Sequence, residues 1–489
     1  MGKPYTLLVP LLVCIGCTTP TPKVEPVVAA TDPLVARIDS FMRASADAGF
    51  NGSLLVLRDG KALVDTGYGL RDRELNLPNT STTVHAIGSI TKQFTAACIL
   101  KLQEMGKLNV YDPMSKYLGP VPSDKSGITL HQLLTHSAGF PGAIGDDDEP
   151  IDGGAFTKLA LGTPLKFAPG TGYEYSNVGY SLLGIIVEHV SGVALERFLV
   201  DDLLAPAGIL HTGYRAPFQP TDELAIGYRK DGTRWGTMLD HKTVNGGPGW
   251  HLRGNGGMLS TTHDMADWVG ALYRHTVLSG ASVDSMFAPH VAEGEGAKSY
   301  YGYGWAIFNT QRGTRLITHN GGNGVQFADV LFYVDEGVTI VLMSNAAPKG
   351  MQDLAWEIGR TLLVPGYKPQ LQQPGKMLPG VPDGPVGETM KALSAIIAAT
   401  GSDEELKTWF ADHFGPGFLN DFPMKEHVAV FKQLRTDIGT NTIGQVEQVS
   451  ADEYKLELVS AKDGRRYHVT MQVRPSDSKI SGLGVEPPE

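Results

Sequence analysis

The chain has 489 residues, of which 42% are apolar and 19% are charged, and its formal net charge is −11 at pH 7. The length exceeds that of one ordinary domain and predicts two or three. No basic block interrupts the even spread of charge. The composition therefore gives no reason to expect nucleic acid or an anionic membrane surface as a partner.

The N-terminus differs from the rest of the chain. An apolar run from Leu7 to Gly16 is too short to span a bilayer and is typical of a signal-peptide core. The letters VCIGC resemble a bacterial lipobox in which Cys17 would be lipidated, although Cys14 stands where leucine is usual. The alternatives are a plain secretory signal and a C-x-x-C redox pair, which would need a βαβ context. We expect an exported protein of a bacterial cell envelope, periplasmic or membrane-anchored through this lipid alone.

The first predicted elements are a helix and a hairpin. Asp32 followed by Pro33 is typical of a helix start. NGSLLVLRDGKALVDTGYG then predicts two strands joined at Asp59-Gly60. AIGSITKQFTAACIL predicts a buried helix, and loops and helices are expected from there to about residue 275.

Strands return in YYGYGWAIF, GTRLITHNG and VQFADVLFYVDEGVTIVLMSNA, the last turning at Asp335–Gly337, before a helix in DLAWEIGRTLL. Strands at both ends with helices between them predict one α/β (α+β) domain with a mainly helical insertion. A Pro- and Gly-rich linker leads to two or three amphipathic helices and three or four strands, an α+β module with an accessory role. The predicted boundaries are a signal peptide at 1–17, a tether at 18–32, a main domain at 33–366, a linker at 367–385 and a C-terminal module at 386–489.

Ser89 and Lys92 are the first candidate site residues. Positions i and i+3 share one face of a helix, so the lysine lies beside the serine. A serine hydroxyl needs a base to become a nucleophile, and burial would lower the pKa of a lysine enough to supply one. Ser-x-x-Lys alone is a weak signal, because a capping serine before a surface lysine is by far the commoner explanation of it.

Two further segments strengthen the case. Tyr175-Ser176-Asn177 precedes an apolar helix, and HNGG from His319 to Gly322 ends a predicted strand. With the Ser-x-x-Lys element, these segments resemble the serine β-lactamase and penicillin-binding-protein superfamily. The class C-like branch, which includes D-alanyl-D-alanine carboxypeptidases and esterases, is the most similar. ITLHQLLTHSAGFPG, FAPGTGYEYSNVGYSLLG and GNGGMLSTTHDMADW also look like that branch, and the resemblance covers roughly residues 33–366.

This resemblance implies a β-lactamase-like fold, with an antiparallel sheet flanked by helices and a mainly helical subdomain. It implies that Ser89 forms the acyl-enzyme, Lys92 takes or relays its proton, and Tyr175 passes a proton to the leaving group. Ionising that phenol would need the positive charge of Lys92. Asn177 and His319 are implied to bind substrate. The remaining implied roles are an oxyanion hole from the Ser89 and Gly322 backbone, and close substrate approach at Gly321 and Gly322.

The third motif departs from that of β-lactamases, which carry a lysine and a hydroxyl residue where this chain has His319 and Asn320. Because histidine is only partly charged near pH 7, we expect esters or D-amino-acid peptides as substrates, with peptidoglycan-derived peptides among the candidates. A carboxypeptidase, a weak β-lactamase and a non-catalytic envelope binding protein stay open. So do a core phenol at Tyr175, a helix cap at Asn177 and a surface histidine at 319. No metal or organic cofactor and no nucleic acid is expected.

Overall fold

The computed structural model describes residues 32–214, 223–229, 231–240, 247–294, 297–346, 353–371, 376–421 and 423–486. The predicted signal peptide and Cys17 lie outside these residues.

An antiparallel sheet forms the centre of the larger body, with strand order β2-β1-β14-β13-β12-β11-β10-β9, and β6 joins β14 and pairs with β7. The hairpins predicted at Asp59-Gly60 and Asp335–Gly337 are confirmed. YYGYGWAIF is broken into two strands instead of one. The strands are β1 (Asn51–Arg58), β2 (Lys61–Tyr68), β3 (Leu70–Asp72), β4 (Leu77–Pro78), β5 (His85–Ala86), β6 (Gly227–Tyr228), β7 (Arg234–Gly236), β8 (Leu259–Ser260), β9 (Val291–Ala292), β10 (Ser299–Tyr301), β11 (Ala306–Asn309), β12 (Arg315–Gly322), β13 (Phe327–Tyr333), β14 (Val338–Ala346), β15 (Lys376–Leu378), β16 (Asn441–Gln448), β17 (Glu453–Ser460), β18 (Arg466–Val473) and β19 (Ile480–Glu486).

Helices cover both faces of this sheet. The first starts as predicted, because the Asp32 side chain accepts a hydrogen bond from the Leu34 amide. The helices are α1 (Pro33–Asp47), α2 (Thr91–Glu104), α3 (Ser115–Leu118), α4 (Leu130–Leu134), α5 (Gly153–Gly162), α6 (Asn177–Ser191), α7 (Leu195–Leu199), α8 (Ala205–Ala207), α9 (Thr262–Tyr273), α10 (Gly280–Met286), α11 (Leu354–Leu363), α12 (Pro385–Ala398), α13 (Asp403–His413), α14 (Pro416–Asp421) and α15 (Met424–Asp437). Short 3₁₀ turns lie at Gly88–Ile90 and Met238–Asp240, and a π turn lies at Val200–Leu204.

The alternation of side chains along β13 separates two apolar cores. Phe327, Leu331 and Tyr333 pack with α1 and α11 on one face of the sheet. Ala328 and Val330 face the larger core, which holds α2, α6 and α9. Cys98 of α2 is fully buried in that core, as predicted. The turn at Gly88–Ile90, just before α2, is therefore held between the sheet and the helical part of the chain.

Residues 376–486 build a second sheet with its own core. The strand order is β15-β16-β17-β18-β19, and α12, α13 and α15 contribute side chains such as Met390, Phe410 and Phe431. The prediction of two or three helices was too low, because four lie in this segment of the described residues. Strand β15, which precedes the helices, was also missed.

No single helix among the described residues is long and apolar enough to cross a membrane. One bent pair, Asn177–Ser191 with Leu195–Ala207, meets the criterion by length and composition.

Candidate active site

Ser89 lies in the 3₁₀ turn before α2, and not on the α-helix itself as the sequence suggested. The end of β12 packs directly against this turn. A Cβ atom on Gly321 would lie 2.0 Å from the Ile87 carbonyl oxygen and 2.6 Å from the Ser89 nitrogen, and one on Gly88 would lie 2.4 Å from the Gly322 nitrogen. Packing against the turn at Ser89 therefore requires glycine at 321, a reason separate from the substrate approach that the sequence suggested. The same packing brings the Ser89 and Gly322 backbones close together.

The Lys92 side chain is fully buried beneath the serine. Its Nζ lies 2.7 Å from Asn177 Oδ1, 2.9 Å from the Asn255 carbonyl oxygen and 3.0 Å from Ser89 Oγ. Burial holds the pKa of Lys92 well below its usual value, and the charge of Asp147 opposes this only in part. The two carbonyl oxygens can accept both N–H bonds of a neutral amine. The nitrogen lone pair would then face the serine hydroxyl, which is the geometry of a general base.

Tyr175 lies beside both groups. The Lys92 Nζ is 4.7 Å from the centre of its ring. Burial raises the pKa of the phenol, and a hydrogen bond with Ser89 opposes this rise without cancelling it. Burial thus favours the uncharged amine of Lys92 and the protonated phenol of Tyr175. Both shifts oppose the ionised phenol beside a charged Lys92 that the sequence suggested.

Asn177 is the first residue of α6, and Ser176 is the cap, since its hydroxyl accepts a hydrogen bond from the Gly179 amide. The alternative reading of Asn177 as the cap is wrong. Because it starts the helix, the Asn177 side chain is free to reach Lys92.

His319 is buried, with 6% of its surface exposed. Its Nε2 lies 2.9 Å from the Tyr301 hydroxyl, and its Nδ1 lies 2.6 Å from the Asn320 carbonyl oxygen. Burial, with a smaller contribution from nearby Lys92, lowers the pKa of His319 to about 3. The ring is therefore neutral at pH 7, donating from Nδ1 and accepting at Nε2. Both the surface-histidine alternative and the expected partial charge are wrong.

Two clefts meet at Ser89. The first, which we call the Tyr175 cleft, has a volume of about 430 Å³ and runs along β12. Strand β11 pairs with β12 only as far as Thr318, so the backbone from His319 to Gly322 is open to this cleft. The second, the Asp147 cleft, has a volume of about 170 Å³ and includes Asn177. The Tyr175 cleft is lined by Ser89, Tyr175, Glu293, Tyr301, Ala306, Phe308, Thr318, His319, Asn320, Gly321, Gly322, Asp329 and Trp356.

The sequence model of the β-lactamase family matches residues 38–363, two thirds of the chain. The chain belongs to the β-lactamase family. One relative, penicillin-binding protein 4* of Bacillus subtilis, is 29% identical, and the match covers 60% of this chain and 68% of that protein. Another, the putative penicillin-binding protein PbpX of the same organism, is 30% identical, and the match covers 53% of this chain and 63% of that protein. Protein Flp of Staphylococcus aureus is 30% identical over 44% of each chain, so the match spans less than half of that relative.

Solved structures give the same result for the fold of this β-lactamase-family chain. A penicillin-binding protein from Bacillus halodurans has a TM-score of 0.57 at 28% identity, with 66% of this chain and 98% of that chain covered. An octameric penicillin-binding-protein homologue from Pyrococcus abyssi has a TM-score of 0.62 at 21% identity and covers 93% of this chain and 99% of its own. The second likeness supports the fold alone.

Sequence reasoning missed two residues at the site. The Asn255 carbonyl oxygen holds Lys92, and the His136 ring, 4.3 Å from that of Tyr175, accepts a hydrogen bond from the Ser176 amide at Nδ1. Burial keeps the pKa of His136 well below its usual value, which suits an acceptor. Both residues lie in segments, GNGGMLS and LTHSAGF, that resemble the family in sequence. That resemblance did not indicate which residue of each segment contacts the site.

Within the described ranges, no group of three or more His, Cys, Asp or Glu side chains is arranged to hold a metal ion.

Proposed function

We propose that this chain is a serine hydrolase that forms an acyl-enzyme on Ser89 and hydrolyses esters or D-amino-acid amides. The observation that carries the proposal is the buried Lys92 amine, whose two carbonyl partners leave its third direction for Ser89 Oγ, 3.0 Å away. A buried charged lysine would be costly, whereas a neutral one is a base already placed within hydrogen-bond distance of its nucleophile.

In this mechanism Lys92 takes the proton of Ser89 as Oγ attacks the substrate carbonyl. The backbone N–H groups of Ser89 and Gly322 stabilise the developing oxyanion, each by ~3 kcal/mol. The Tyr175 phenol, kept protonated by burial, donates its proton to the leaving group and regains one from Lys92. A water then attacks the acyl-enzyme with the same groups in reverse roles.

The clefts divide between the two parts of the substrate. The proton donor must face the leaving group, so we assign the Tyr175 cleft, which contains that phenol, to the leaving group. The Asp147 cleft, with Asn177 in its wall, is assigned to the acyl group.

Esters are favoured over β-lactams and over peptides that end in a carboxylate. Among the described residues, no lysine or arginine lines the Tyr175 cleft, and its histidine is neutral. A substrate carboxylate would therefore meet Glu293 and no fixed positive charge. The test compares p-nitrophenyl acetate with a D-Ala-D-Ala peptide and a cephalosporin, using purified protein. A higher kcat/KM for the peptide or the cephalosporin would contradict the preference for esters.

A fluorophosphonate probe tests the nucleophile. Mass spectrometry should place the label on Ser89, and labelling elsewhere would reject the mechanism.

The names of the relatives favour one other function, a penicillin-binding protein that is acylated but turns over slowly. Stoichiometric penicillin labelling of Ser89 without ester turnover would support that function instead.

Export and lipidation at Cys17 belong to the proposal and are tested by the mass of the mature N-terminus.

A further inference from the structure

Asp329 is an unusual residue for the centre of a sheet. It lies on β13 opposite Asn320 of β12, is 1% exposed, and lines the Tyr175 cleft. Neither of its carboxyl oxygens meets hydrogen-bond geometry with a group among the described residues, although the Thr318 side chain and the Val330 backbone lie near enough to favour its charged form. A buried polar group without a partner is destabilising and rare, so a carboxyl group in the wall of a cleft points to a ligand that supplies the missing donor.

The surroundings of Asp329 select the kind of donor. Burial raises the pKa of this carboxyl well above its usual value; Thr318 and the Val330 backbone oppose this rise and Asp353 adds to it. Phe308 and Trp356 line the same cleft and pack edge to face on each other, with ring centres 5.5 Å apart.

A cation fits these surroundings best. An ammonium group would convert the neutral carboxyl into a charge-assisted pair, and aromatic faces also favour cations. Glu293 gives the same cleft a second carboxylate. A neutral hydroxyl could donate one hydrogen bond, but it would form no charge-assisted pair with Asp329 or Glu293.

We propose that Asp329, with Phe308 and Trp356, forms a subsite that selects substrates whose leaving group carries a primary ammonium. This inference rests on the proposed function, because the Tyr175 cleft holds the leaving group only if Tyr175 is its proton donor. It adds a substrate class that the catalytic residues by themselves do not specify.

The test uses acetate esters with one acyl group and phenols of matched size. The 4-(aminomethyl)phenyl and 4-(2-aminoethyl)phenyl esters differ in reach, 4-ethylphenyl and 4-propylphenyl acetate are their neutral counterparts, and 4-(carboxymethyl)phenyl acetate carries the opposite charge. For the full chain, we expect kcat/KM at least about tenfold higher for the better ammonium ester than for its neutral counterpart, and lowest for the carboxylate. Equal values for the ammonium and neutral esters would overturn the subsite while leaving the proposed function intact.

Variants assign the preference to one side chain. Asp329→Asn should bring the ammonium-to-neutral ratio of kcat/KM to about one, whatever its effect on the neutral ester alone. Asp284→Asn makes the same replacement of a carboxyl group at an exposed site outside the cleft and should leave the ratio unchanged. If Asp329→Asn keeps the full ratio, Asp329 is not the recognition group and the inference is wrong.

Two measurements do not depend on the variant folding, and the second of them does not depend on turnover either. Benzylammonium should inhibit hydrolysis of the neutral ester by the full chain at a concentration at least tenfold lower than benzyl alcohol, and equal inhibition would refute the subsite. If the protein hydrolyses none of the esters and the fluorophosphonate leaves Ser89 unlabelled, the proposed function fails. Calorimetric binding of benzylammonium against benzyl alcohol then still decides whether the cation subsite exists, with equal affinity as the negative result.

Discussion

Replacing Lys92 by methionine tests whether a neutral amine is the base. Methionine is close in length and apolar, so Lys92→Met removes the nitrogen that lies 3.0 Å from Ser89 Oγ while filling most of the buried space. General-base catalysis contributes roughly 10²–10⁴ in rate, which is about 2.7–5.4 kcal/mol at 1.36 kcal/mol per tenfold. We expect the acylation rate to fall by this factor.

The assay is the pre-steady-state release of p-nitrophenol from p-nitrophenyl acetate, which reports acylation separately from hydrolysis of the acyl-enzyme. The control is Lys101→Met on the same helix, whose Nζ donates to the Val277 carbonyl oxygen 3.0 Å away and lies outside both clefts. It should acylate at the wild-type rate. A folded Lys92→Met protein that acylates within threefold of the wild type would refute the assignment of the base.

The pH dependence gives an independent check. Burial lowers the pKa of Lys92, so the amine becomes a base above that lowered value and is protonated below it. The wild-type acylation rate should therefore rise with pH through the lowered pKa and level off well below the ordinary lysine value of 10.5. A rate that keeps rising up to that value would mean that the buried amine is charged at neutral pH.

Three further outcomes are expected. Asn177→Asp would place a carboxylate 2.7 Å from the Lys92 Nζ and raise the pKa of the amine. The rising limb of the pH–rate profile should therefore move to higher pH. An unmoved limb would contradict the contact between residue 177 and Lys92. Gly321→Ala should lower the free energy of unfolding by about 1–3 kcal/mol, measured by thermal unfolding, and should reduce activity. Gly322→Ala should be milder, because its Cβ would lie 3.3 Å from its nearest neighbour. Equal effects of the two variants would argue against the packing of Gly321 on the turn at Ser89. A chain that ends at Leu371 should keep its fold and ester hydrolysis if the proposed boundary is right, and failure to fold would place the C-terminal module within the same folding unit.

Much of the fold followed from local patterns. Asp59-Gly60 between two alternating runs predicted the first hairpin, and Asp32 before Pro33 predicted the start of α1. These features depend on turn chemistry and capping within a few residues, which is why they could be read directly. The C-terminal sheet was harder, since β15 is only three residues long and pairs with a strand that lies more than sixty residues later.

The sequence by itself determined that Ser89 and Lys92 lie within one turn of each other, because that depends on three residues of backbone. Only the tertiary structure decided that the pKa values of Lys92 and His319 are lowered, since both depend on burial by distant segments. The same holds for Asp329, which in the letters VQFADVLFY is one polar residue in an apolar strand. The pairing of β13 with β12 and the packing of α11 on that face turn it into an unpartnered carboxyl in the wall of a cleft.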